Sequence, residues 1–144
     1  MKKLIIVILL ILLITNCSYK SEYDDSFKSF YNEKLNKIII YDSITELDNP
    51  IPTDDWIEFY ENTNYLYLLT GHKFRFDRTE PPGYPSQEIL ELDIKELKEW
   101  YYKNGNNMSI QKADSIVNMK CDSLGGGVFY YKGIRYESNN NVSN

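Results

Sequence analysis

Residues 4–14 form an unbroken apolar run behind Met1, Lys2 and Lys3, and this run limits what the rest of the chain can become. As a helix its eleven residues reach roughly 16 Å, against a bilayer core of about 30 Å. The run is too short to span a membrane. Its basic start and its length suit a secretory leader. Any domain must then be built from the residues beyond it. Removing residues 1–16 from the 144 leaves 128, the length of one domain with a modest core.

Ile14, Thr15, Asn16 and Cys17 close the run. Their order resembles the lipobox of bacterial lipoproteins, with Asn16 standing where a smaller residue is usual. The resemblance covers residues 1–17. It implies a diacylglyceryl group on the Cys17 sulfur, cleavage just before that cysteine, and a further acyl chain, such as palmitate, on the new amine. Each buried methylene contributes about 0.8 kcal/mol, so two chains hold a protein at a membrane where one does not. Ser18 does not resemble the aspartate that retains such proteins at an inner membrane, which implies the outer membrane where a cell has one. Glu22, Asp24 and Asp25 read as part of a solvated tether over residues 17–25, although acidic clusters there also resemble surface-export signals of some lipoproteins.

Without Lys2 and Lys3, 14 basic residues face 21 acidic ones, a net charge of −7. That balance disfavours nucleic acid and bare anionic bilayers as partners and is compatible with a basic protein partner. With Cys17 alkylated, Cys121 is left alone, so no internal disulfide can form and packing must hold the fold. The thirteen tyrosines suit half-buried antiparallel sheet.

Residues 26–35 carry Phe27, Phe30, Tyr31 and Leu35 at helical spacing. Ile38, Ile39 and Ile40 are consecutive β-branched residues and predict a central strand over 38–41. Thr53 is placed to cap a short helix through Glu61, with a strand over 56–60 as the alternative. Residues 65–69 and 72–77, around Thr70 and Gly71, predict an antiparallel hairpin. The Glu80, Pro81, Pro82, Gly83 stretch must be loop. A short strand is expected over 88–92. Asp93 and Glu96 have capping-box spacing for a helix over 93–104, and Ser109 caps another over 109–122. Gly125, Gly126 and Gly127 release the chain into strands 128–131 and 134–137 around Lys132 and Gly133. In that hairpin Phe129 faces Tyr136 and Tyr131 faces Ile134, with all four on the core face. The expected fold is a small single α+β domain over 26–138, an antiparallel or mixed β-sheet with two helices packed on one face, followed by a polar tail over 139–144.

Chemistry is thinly signalled. A Cys121–His72 nucleophile and base pair needs a perturbed thiol, whereas Cys121 falls on an apolar helical stripe. One histidine and one free cysteine do not make a zinc site, and the acidic pairs lack calcium-loop spacing, so no metal and no cofactor is expected. Carboxylate pairs such as Glu58 with Glu61 have no specificity. The strongest recognition signal is Lys73, Arg75 and Arg78 on one outer face, followed by Tyr84 in the proline loop. The sequence therefore favours a membrane-anchored, non-catalytic binding or accessory module of the cell envelope, of inhibitor or immunity type, with an envelope protein as partner. A small hydrolase using carboxylates or Cys121 and a structural envelope component are the competing readings.

Overall fold

The computed structural model describes residues 21–45, 50–121, 128–131 and 134–137, with side chains for 26–45 and 50–121. The leader, Cys17, the glycines at 125–127, the 132–133 turn and the polar tail lie outside the described residues.

Helix α1 spans Ser21–Thr45, α2 Thr53–Thr70, α3 Gln87–Asn104 and α4 Ile110–Cys121, with a short 3-10 turn at Gly105–Asn107. Among the described residues the protein is thus a bundle of four helices, and they do not form the α+β sheet expected from sequence. The only pairing of strands among the described residues is a separate antiparallel hairpin of β1 (Val128–Tyr131) and β2 (Ile134–Glu137), with β1 beside α2. Phe129 is opposite Tyr136 and Tyr131 opposite Ile134, the pairing that a two-residue turn requires. Which face these four side chains share lies outside the described side chains.

The helix α1 overrides its own β-branched run. Phe27, Tyr31, Leu35, Ile38 and Tyr41 are all buried, at spacings of four, four, three and three. That is the stripe of one long helix. Ile39 and Ile40 are 37 % and 57 % exposed, so a strand buried on both faces would have the wrong partners. Local propensity differences are a few tenths of a kcal/mol per residue, and burying one large side chain contributes about 1.5–3 kcal/mol, so packing decides.

The central helix is α2. From Phe59 to Leu69 nearly every side chain is buried, polar Asn62, Thr63 and Asn64 included. The apolar run at 65–69 therefore lies in a helix enclosed on all sides rather than in a hairpin strand. Pro52, not Thr53, occupies the N-cap, and its carbonyl accepts from the Asp55 amide at 3.1 Å. Gly71 ends α2 with φ +79°, its amide donating to the Tyr67 carbonyl at 2.7 Å. It is a helix stop of the left-handed kind that favours glycine, not a hairpin turn.

The expected strand at 88–92 is the first turn and a half of α3, whose buried stripe is Leu90, Asp93, Ile94 and Leu97. Tyr31 ties α3 to α1, donating to the Leu97 carbonyl at 2.9 Å and stacking on Trp100 at 5.8 Å. Gly105 is buried where a Cβ would sit 2.6 Å from the Tyr101 ring. Ser109 does cap α4, its Oγ accepting from the Lys112 amide at 3.1 Å. Ala113 and Val117 then bury their side chains, and the Tyr65 hydroxyl donates to Asp114 at 2.8 Å.

Candidate functional site

Residues 71–86 cross from α2 to α3 without helix or regular strand. The segment is nonetheless tied down. Asp77 and Gly83 pair across the proline loop, at 2.8 Å and 3.4 Å. Tyr60 donates to the Thr79 carbonyl and Tyr41 to the Pro82 carbonyl, each at 3.0 Å. Phe76 packs edge-on against Phe59 at 4.8 Å. The loop is a fixed surface laid over the aromatic core, so side chains along it have defined positions.

One side of this segment docks on a buried carboxylate. Asp93 has no solvent exposure. It accepts from the Arg75 amide at 2.9 Å, from the Tyr84 hydroxyl at 3.1 Å and from the Arg75 guanidinium. One turn on, Glu96 accepts from the same guanidinium at 2.8 Å. His72 stands between the two acids, Nε2 at 3.1 Å from Asp93 and Nδ1 at 3.3 Å from Glu96. The Nε2 approach makes no hydrogen bond. Burial alone would raise the Asp93 carboxyl, but the contacts from His72, the Arg75 amide and Tyr84 outweigh it and hold Asp93 below the usual carboxylate range. Burial, reinforced by Asp93, pushes the Tyr84 phenol far up, so it stays a donor.

This cluster is a structural clasp between loop and helix. Asp93 and Glu96 do not form the expected capping box, because α3 begins six residues earlier. Both nitrogens of His72 face carboxylates, and Cys121 packs against the hydrophobic core. Among the described residues no cluster of three or more His, Cys, Asp or Glu is arranged to hold a metal ion.

The other side of the segment opens outward. Lys73 and Arg78 line a cleft of about 290 Å³ with Phe74, Phe76, Asn64 and Tyr67. The Arg78 guanidinium lies 5.9 Å from the Phe76 ring centre. Among the described residues no carboxylate lies within ion-pair distance of Lys73 or Arg78. Thr63 is fully buried in the wall, its hydroxyl held by the Phe59 carbonyl at 3.0 Å. The cleft offers two cations, an aromatic floor and a rigid rim, which suits a carboxylate or other acidic group.

The four residues expected to share a recognition surface are therefore divided. Lys73 and Arg78 line one cleft, while Arg75 and Tyr84 turn to Asp93. Asn64 and Tyr67 join the cleft from α2, Tyr67 within the 65–69 stretch that reads as strand in sequence. The missed clasp has one signal in the sequence, an acid at 93 in step with the apolar stripe 90, 94 and 97.

No protein-family model, curated protein or solved structure matches the chain.

Proposed function

We propose that this protein is a lipoprotein held at the cell envelope through acyl chains on Cys17, and that its helical domain is a non-catalytic binding module for an acidic segment of an envelope protein. The observation that supports the binding reading is the cleft at Lys73 and Arg78, with two cations free of carboxylates among the described residues. Two such charges left on a fixed loop attract an acidic partner and set its orientation. Tyr67 and the Phe74 and Phe76 rings supply apolar contact beside them. The anchor reading is supported by the leader and lipobox resemblance at residues 1–17. It is compatible with the described helices, none of which is long and apolar enough to cross a membrane.

A photoreactive benzoyl-phenylalanine at Tyr67, in the full chain in its own envelope, tests the cleft. One discrete protein adduct is expected, reduced at least tenfold by Lys73→Glu with Arg78→Glu. An adduct that survives the double charge reversal refutes the reading. Mass analysis of the N-terminal peptide tests the anchor independently: acyl groups on Cys17 are expected, and an intact unmodified leader refutes it.

A further inference from the structure

Helices α1 and α3 run antiparallel, joined along their seam by Tyr31 on Leu97 and by Phe27 stacked on Tyr101 at 6.0 Å. Two hollows open along the seam. Ile39, Leu90 and Ile94 wall the first, about 520 Å³, which is mostly apolar. Lys28, Asn32, Tyr101 and Asn106 wall the second, about 300 Å³, with polar and apolar surface in equal share. Lys98 and Tyr102 line both, so the hollows form one groove with an apolar end and a polar end.

The charges differ between the ends. Glu91 and Glu99 stand beside Lys95 and Lys98 at the apolar hollow, which therefore has little net charge. Among the described side chains the polar hollow is lined by Lys28 and Lys98 and by no carboxylate. Neither lysine has a carboxylate within ion-pair distance among the described side chains, which begin at residue 26. Tyr102 is 78 % exposed and lines both hollows, so its ring is open to a ligand lying along the groove. Ligand pockets in proteins commonly hold about 300–1,000 Å³ and pair apolar walls with a few convergent polar groups.

We infer that the α1–α3 groove binds a single-chain anionic phospholipid, one acyl chain with a glycerol phosphate head. The chain lies along Ile39, Leu90 and Ile94. The phosphate sits between Lys28 and Lys98, and the glycerol hydroxyls meet the amides of Asn32 and Asn106. The overall negative charge that disfavours a bare anionic bilayer acts over distance and is screened beyond about 8 Å in physiological salt. A lipid already in the groove meets the two lysines directly. This site shares no residue with the basic cleft, so either assignment can fail without the other.

The test uses the full chain in phosphatidylcholine nanodiscs, labelled with lysophosphatidylglycerol carrying a diazirine on its acyl chain. Labelling is expected on the peptides that contain Ile39 and residues 90–102. Unlabelled lysophosphatidylglycerol should compete at least tenfold better than lysophosphatidylcholine or glycerol phosphate. Palmitate, with chain and charge but no glycerol, should fall between. Lys98→Glu and Ile39→Asp should each lower labelling at least fivefold while far-UV circular dichroism stays unchanged. Labelling confined to residues 1–20, equal competition by the zwitterionic lipid, or indifference to both substitutions overturns the proposal. So does a crosslinked dimer through Ile39, which would show a second copy seated in the groove.

Discussion

Replacing Asp93 with asparagine isolates the clasp that fixes the loop. The side chain keeps its volume, and only the charge and one acceptor oxygen are lost. Asp93 is fully buried and gathers the Arg75 amide, the Arg75 guanidinium and the Tyr84 hydroxyl. Hydrogen bonds to a charged group contribute about 1.5–3 kcal/mol each, and breaking a buried ion pair costs about 3–5 kcal/mol. Arg75 is 41 % exposed and keeps Glu96, so it rehydrates and recovers part of the loss. The net cost should be about 2–4 kcal/mol, a fall in Tm of roughly 8–17 °C for a domain near this size. Thermal unfolding followed by circular dichroism measures it. The pH dependence carries a sign. Because Asp93 is held below its unfolded value, its stabilisation is fully present above about pH 4 and fades as pH falls through the folded value. The gap between wild type and Asp93→Asn that is present at pH 5 should thus narrow as the pH falls below about 4. A loss under about 1 kcal/mol at pH 7, or a gap that does not narrow in acid, refutes the argument.

Other substitutions probe separate joints, each read by urea or thermal unfolding. Gly105→Ala should cost about 1–3 kcal/mol although the backbone there is helical, because the new methyl meets the Tyr101 ring; in a Tyr101→Ala background the cost should vanish. Ser109→Ala should cost about 0.5–2 kcal/mol through the lost cap on α4. Ile38→Ala should cost about 2–5 kcal/mol and Ile40→Ala less than about 0.5 kcal/mol, since one neighbour is in the core and the other faces water. Glu96→Gln, on a half-exposed acid, should cost under about 1 kcal/mol and so separate the surface arm of the clasp from its buried one.

The helices that end in clear punctuation are legible in the sequence. Ser109 before a spaced apolar stripe marks α4, and Phe27, Tyr31 and Leu35 mark the first half of α1. The misreadings share one cause. A short apolar run does not reveal its period, and Ile38, Ile39 and Ile40 or residues 65–69 fit a doubly buried strand as well as a helix. Extending the step from Leu35 to Ile38 and on to Tyr41 separates the two. Helix α2 is harder, because a helix enclosed by its neighbours shows little amphipathic contrast. The basic cleft is half visible: Lys73 and Arg78 stand out in sequence, but strand alternation wrongly groups them with Arg75, which folds back onto Asp93. The partners of Asp93 come from positions 72, 75 and 84, and no local pattern links them to an acid on the next helix.

Backbone chemical shifts of residues 37–41 and 65–69, measured by NMR on the full chain, test the architecture most directly. The cleft, the clasp and the α1–α3 groove all require these two stretches to be helical. Helical Cα shifts and consecutive amide contacts throughout both are predicted. Strand-like shifts with cross-strand contacts in either one would contradict the four-helix bundle and every site placed on it.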